Sequence, residues 1–384
     1  MTSSPAAPTP GPRSTLPPEP PHDARPIAGA EPSTDTAPSP TTAAAASRAA
    51  GRRVRVVGAG VAGLSTALEL AERGLAVEVV DRGATLGAAA CSWCAGGMLA
   101  PWCEGESAEA AVVERGRIAL DWWPRRFPET VLAGTLVVAP ARDATELARF
   151  AQRTEAFERL EEAGVAALEP DLAGRFRQGL FFASEGHLDP RLALAALARL
   201  LAARGVAIRF GVDAADAGPD ADAVVDCRGF AARDVLPELR GVRGEMIVVR
   251  TSEISLARPV RLLHPRIPLY VVPRADGHFM IGATMIESAE RRGVTARSAI
   301  ELLGAAYALN PAFGEAEIVE IRADVRPAFP DNLPRVVRAG RTTYLNGLYR
   351  HGFLLAPAFA ARAAAAVAAS LEDSDEDHRQ RQPA

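Results

Sequence analysis

The sequence predicts an α/β protein, and three observations carry that prediction. A short apolar strand, a glycine-rich turn, a helix and a second strand ending on an acid follow one another within residues 54–81. A second strand feeding a glycine turn recurs at 221–229, and a third, followed by a long alanine-rich helix, at 343–367. The length of 384 residues is what roughly two domains require.

Composition bounds the chemistry. All 43 basic residues are arginine and none is lysine, which removes pyridoxal Schiff bases, Schiff-base aldolases and the phosphate-loop lysine. The formal charge of −4 offers no electrostatic reason to expect nucleic acid or an anionic membrane surface. The four cysteines, at 91, 94, 103 and 227, are too few and too clustered for a secreted disulfide framework. These bounds describe an acidic cytoplasmic enzyme.

Residues 1–52 hold 12 of the 30 prolines among Ala, Ser and Thr, too little apolar surface to offset the entropy of ordering, so a disordered tail is expected. They contain no apolar run of the kind a secretory signal needs. The ordered chain opens at Val54–Val57, followed by Gly58-Ala59-Gly60-Val61-Ala62-Gly63, a helix stopping at Gly74, and a strand from Ala76 ending on Asp81. Gly58 permits the tight turn, Gly60 lets backbone approach a pyrophosphate, and Gly63 lets helix and strand pack closely. The helix N-terminus supplies N–H donors to the phosphates, and Asp81 can accept from ribose hydroxyls. The small-residue stretch 87–101 suits close approach of a flat ligand. Strands are predicted at 134–139, 246–250, 269–272 and 279–281, the last two a hairpin over Ala275-Asp276-Gly277. Asp189-Pro190 reads as a helix cap and first helical position. Trp122 and Trp123 read as core or interface. No uninterrupted apolar stretch reaches the roughly 18 residues of a membrane span, and 371–384 reads as a frayed polar tail.

Five segments resemble the flavin-dependent amino-acid oxidase superfamily that contains D-amino-acid oxidase and sarcosine oxidase: GAGVAGLSTALEL, AGGMLAPWCEGESAE, LYVVPRADGHFMIGATM, DVRPAFPDNLPRV and NGLYRHGFLLAPA. Within it they are most similar to the glycine oxidases of thiamine biosynthesis. The resemblance implies a Rossmann-like FAD-binding domain from 53–133, 184–243 and 327–370, with an inserted α+β substrate domain from 134–183 and 244–326. It implies oxidation of glycine by hydride transfer to flavin N5, with O2 reduced to peroxide and no side-chain acid or base required. The imine would serve the thiazole of thiamine.

The same resemblance places Gly58, Gly60, Val61, Ala62 and Gly63 at the phosphates, Asp81 and Arg82 at the ribose and Val212 at the adenine side. Ala90, Cys91, Gly96, Gly97 and Met98 would run along the flavin. Leu348, Tyr349, Arg350, His351, Gly352, Phe353 and Leu354 would form the turn over the isoalloxazine. Arg326 and Tyr270 match the carboxylate-binding pair, Arg350 a second pocket arginine, and Met285 and Met98 the pocket lining. On its residues alone, Arg326 lies before Pro327, which favours an extended strand end, and its planar fork suits a small carboxylate. Without the resemblance, a surface salt bridge would be the default for one arginine of 43, and Tyr270 would read equally as a core aromatic.

Cys91-x-x-Cys94 lacks the second pair or spaced histidines of a zinc site. No G-x-S-x-G or H-E-x-x-H is present. Two classes of function remain: an FAD oxidase of small amines, with sarcosine- or D-amino-acid-selective oxidases and dehydrogenases as variants, and a dinucleotide-binding sensor or scaffold. Homo-oligomerisation is left open.

Overall fold

The computed structural model describes residues 51–264 and 268–380, and the segment 1–50, on which the expected tail rests, lies outside them. The strand Arg53–Val57 is the middle of a six-stranded sheet. It pairs in parallel with Ala76–Asp81 on one side and Ala223–Asp226 on the other, and Ala207–Phe210 extends the sheet beyond Ala76–Asp81. Thr342–Asn346 adds in parallel to Ala223–Asp226, and Arg335–Ala339 closes that edge antiparallel. A central parallel strand is covered on both faces, so Val54, Val56 and Val57 form a continuous buried run instead of alternating.

The crossover helix Val61–Glu72 packs against Pro190–Ala203 and the long C-terminal helix Gly352–Gln380. Asp189 caps the second of these, its carboxylate accepting from the N–H groups of Arg191 and Leu192. Trp123 is buried in the same core and donates its indole N–H to the Phe353 carbonyl. By length and composition the segment Tyr349–Asp373 could cross a bilayer, yet 67% of its most apolar window is buried inside the fold, as a core helix would be. This helix continues to Gln380, past the expected start of a polar tail at 371. No glycine or proline stops it there, and each further residue adds a backbone bond at little entropic cost once the buried stem has formed.

A second, nine-stranded mixed sheet carries the remaining strands except Met98–Leu99 and Gly186–His187, which pair with each other in a two-stranded sheet. Its parallel-paired strand Thr135–Val138 shows why both faces are covered. Leu136 and Val138 join one core with Leu302, Ala306 and Leu309 of the helix Ala296–Leu309, while Val137 faces a separate core with Leu147 and Phe150 of Ala144–Arg153. The two longest strands, Arg240–Arg250 and Glu317–Ala328, pair antiparallel along almost their whole length and run through the positions 243 and 326 where the sequence places domain boundaries.

Candidate functional site

Open α/β sheets bind ligands beyond the carboxyl ends of the strands where the chain order reverses. Here that point lies between Arg53–Val57 and Ala223–Asp226, and a cleft of about 620 Å³ opens there. The turn that floors it divides its three glycines by purpose. Gly58 has φ +105°, and a Cβ on it would stand 2.6 Å from the Cys227 carbonyl oxygen. A Cβ on Gly63 would stand 1.8 Å from the Gly58 carbonyl oxygen. Both are demanded by the fold, and Gly63 lies behind the cleft wall instead of in it. Gly60 is different: a Cβ there would meet Ser92 Oγ at 3.4 Å and Ala90 Cβ at 3.6 Å, ordinary contacts. The protein's own packing does not require glycine at 60, so the cradle it leaves suits an external group. Gly60 caps the helix Val61–Glu72 with no side-chain hydrogen bond, and the Val61 N–H donates to the buried Ser92 hydroxyl at 3.3 Å. Ala62 and the positive dipole end also front the cleft, an arrangement that fits a pyrophosphate.

Asp81 does more than the sequence suggests. Its Oδ2 accepts from the Ala59 N–H at 2.6 Å and its Oδ1 from the Gly83 N–H at 2.7 Å, with the residue buried. The carboxylate is first a staple joining the turn to the chain after the strand. Ribose hydroxyls would use its remaining lone pairs. Val212 donates its N–H to the Asp81 carbonyl at 3.0 Å, and both Val212 and the exposed Arg82 line the cleft.

Arg326 and Tyr270 line the same cleft from the larger sheet. Arg326 Nη1 donates to the Thr284 carbonyl at 3.0 Å. Tyr270 is flanked by two glycines: a Cβ on either Gly96 or Gly282 would lie 3.0 Å from its ring. Burial pushes the Tyr270 phenol up against the pull of Arg326 and Arg261, so its hydroxyl stays a neutral donor. Arg274, immediately after the strand that holds Tyr270, ties Gly96 to the rest of the wall by donating to the Gly96 and Leu188 carbonyls at 2.6 and 2.8 Å. Its burial lowers its pKa to about 10. Met98 and Tyr270 both pack against the small core of Met246, Val272 and Met280, whereas Met285 is exposed, its sulfur accepting from Tyr349 and Arg350 at 3.7 Å.

Arg350 lines the same cleft and is ion-paired there. Its Nη2 lies 3.0 Å from Glu104 Oε2 and donates to Ser107 Oγ. Glu104 also pairs with Arg261 and with His351 Nε2 at 2.8 Å. Burial alone would raise the Glu104 carboxyl, but Arg261, Arg350 and His351 together hold it well below the usual range. A buried carboxylate needs such partners, and Arg350 is one of them. This cluster joins Pro101–Glu104, the strand Val260–Leu262 and the turn Tyr349–His351. Tyr349 takes φ 50°, a left-handed conformation that a bulky residue adopts only when its surroundings impose it. Leu348 packs in the main core.

Cys91 and Cys94 lie on one 3₁₀ turn in the cleft wall. Burial pushes their thiols up to about 12 and about 11, which leaves them protonated and unreactive. No cluster of His, Cys, Asp and Glu fit for a metal occurs among the described residues.

The cleft thus gathers every sequence-predicted residue except Gly63. Sequence reasoning missed Ser92, Gly244, Glu104 and Arg261. Glu104 stands in WCEGE among surface-like acids, and Arg261 in an ordinary strand; only their meeting across 157 positions gives either a meaning. Arg274 stood within LYVVPRADG and was not singled out.

Residues 53–366 match the family described as FAD dependent oxidoreductase. The chain is 58% identical over 313 residues to a Rhizobium etli protein assigned as the thiamine biosynthesis oxidoreductase ThiO, covering 81% of this chain and 95% of that one. It is 28% identical to a glycine oxidase of Pseudomonas aeruginosa, over 80% of this chain and 92% of the relative. Among solved structures, glycine oxidase from Geobacillus kaustophilus superposes with a TM-score of 0.69 at 24% identity, covering 83% of this chain and 95% of the other.

Proposed function

Because the chain belongs to the FAD-dependent oxidoreductase family, we propose that it is an FAD-dependent amino-acid oxidase acting on glycine and serving thiamine biosynthesis. The observation that carries this reading is the sharing of one cleft by the pyrophosphate-fitted turn at Gly60 and the Arg326–Tyr270 pair. The kinship with ThiO and glycine oxidases supplies the substrate. Bound there, FAD would supply the acceptor for a hydride from the substrate Cα, with O2 as the final oxidant reduced to peroxide.

The chain's own residues bind and orient. Gly58, Gly60, Val61 and Ala62 would hold the pyrophosphate, Asp81 and Arg82 the ribose, and Val212 the adenine side. Ala90, Cys91, Gly96, Gly97, Met98 and the turn Leu348–Leu354 would line the flavin ring. The Arg326 guanidinium receives the substrate carboxylate in a two-pronged hydrogen bond, and the neutral Tyr270 hydroxyl donates a third. Anchored so, a bound amine is oriented instead of tumbling, which converts a collision into a positioned reaction. No side chain has to accept a proton from an amine that enters deprotonated. Arg350, balanced by Glu104, shapes the wall and is not a second anchor. A cytoplasmic setting accords with four free thiols.

The test is purification followed by assay. The protein is expected to be yellow and to release peroxide from glycine, with sarcosine and D-alanine as comparators that measure the room beyond Cα. A colourless protein that binds NAD and turns over none of these would replace the proposal with a dinucleotide sensor.

A further inference from the structure

We infer that Gly244 is a positioning residue whose missing side chain forms the seat of the Arg326 guanidinium; this rests on Arg326 being the carboxylate anchor. Gly244 lies in the middle of the strand Arg240–Arg250, opposite Asp324. Glycine inside a strand costs stability and marks a place where something approaches the backbone closely. Its backbone conformation is one that any residue adopts, so the reason is space. A Cβ on Gly244 would lie 2.1 Å from Arg326 Nη2, 2.2 Å from Cζ and 2.5 Å from Nη1. The three nearest atoms all belong to that one guanidinium.

The register explains the contact. Arg326 stands opposite Val242, so its side chain reaches diagonally across the strand pair to lie over position 244. The neighbouring residue completes the hold. Glu245 donates its N–H to Thr284 Oγ1 at 3.0 Å and accepts the Thr284 N–H at 3.2 Å. The Thr284 carbonyl fixed in this way accepts from Arg326 Nη1 at 3.0 Å. Two consecutive residues therefore supply the floor beneath the guanidinium and, through Thr284, the acceptor at its edge. The remaining guanidinium N–H groups are left for a carboxylate, and the ordering of a long side chain is met in folding instead of at substrate binding.

The consequence is specific. A methyl group at 244 displaces the far end of a flexible side chain and no backbone, so the anchor moves while the fold stands. The experiment compares wild type, Gly244→Ala, Arg326→Ala and the double variant as FAD-loaded proteins. Readouts are melting temperature, flavin content, the flavin spectral shift on adding glycolate (a carboxylate lacking the amine), and kcat/KM for glycine and glycine ethyl ester. Gly244→Ala should keep its flavin and melt within a few degrees of wild type. Its glycine efficiency should fall about 100-fold, the scale of a misplacement near 1 Å. Glycolate binding should weaken in parallel, and turnover of the ester should be unchanged. The double variant should be no worse than Arg326→Ala, because both act through one group.

If Arg326→Ala cripples glycine oxidation while Gly244→Ala does not, the seat is wrong and the anchor stands. If Arg326→Ala itself oxidises glycine normally, the anchor is wrong. Additive losses in the double variant, equal losses on glycine and ester, or loss of flavin in Gly244→Ala would each overturn the inference.

Discussion

Gly60→Ala separates what the fold needs from what the cofactor needs. The new methyl would meet Ser92 Oγ at 3.4 Å and Ala90 Cβ at 3.6 Å, so nothing in the protein has to move. Alanine is a poorer helix cap than glycine, a loss of about 0.5–1 kcal/mol, equivalent to a fall of roughly 1–4 °C in melting temperature. The cofactor meets a different surface. A methyl at the cap stands where the pyrophosphate must approach, and forfeits about two charge-assisted hydrogen bonds of roughly 1.5–3 kcal/mol each. The sum, about 3–6 kcal/mol, weakens FAD by roughly 10²- to 10⁴-fold. Gly63→Ala is the contrasting variant, since its methyl would lie 1.8 Å from the Gly58 carbonyl oxygen and the turn itself would have to open. The assay is thermal melting of both variants with and without added FAD, together with FAD titration. Gly60→Ala should fold normally yet bind FAD weakly, and Gly63→Ala should fail to fold or melt far lower. A Gly60→Ala protein with wild-type FAD affinity would refute this account of the turn.

The other predictions concern buried charge. Burial raises the Glu185 carboxyl to about 7, against the pull of Arg261 and the Cys103 N–H. The unfolded chain ionises near the usual 4.5, so the native state loses stability as pH rises from about 4.5 to about 7, by roughly 3 kcal/mol. Glu185→Gln, which can still accept from the Cys103 N–H, should melt higher than wild type at pH 8 and equally at pH 4. Glu104 has the opposite sign: its lowered carboxyl contributes stability above the unfolded value near 4.5, and this is lost as pH falls through its folded value. Glu104→Gln should therefore cost about 3–5 kcal/mol at neutral pH, with the difference from wild type shrinking in acid denaturation profiles. Asp81→Ala should lower both FAD affinity and melting temperature, because it removes the staple to Ala59 and Gly83; a loss of FAD affinity with an unchanged melting temperature would make the carboxylate a ribose ligand alone.

Local signals were legible wherever one segment carries its own physics. The run VRVVGAGVAGL contains strand, turn and helix start within a dozen residues, and Asp189-Pro190 states a helix cap in two. What could not be read is what depends on distant partners. The ion pairing of Arg350 is invisible until the fold sets Glu104 beside it, 246 positions away. That Asp81 also staples the turn shows only once Ala59 and Gly83 are brought to its carboxylate. Gly244 looks like an indifferent glycine among 32 until the pairing of two long strands lays Arg326 across it. The continuation of the last helix to Gln380 was hidden because charged composition describes solvent exposure and not the backbone.

The central claim is that one cleft joins a flavin site to a carboxylate anchor, and anaerobic reduction by glycine tests it most directly. FAD-loaded wild type and Arg326→Ala are each mixed with glycine in the absence of O2 while the visible flavin absorbance is followed. Glycine should bleach wild type, and Arg326→Ala, equally yellow, should bleach roughly 30- to several-thousand-fold less efficiently. Wild-type flavin that glycine fails to bleach, or equal bleaching of the two proteins, would contradict it.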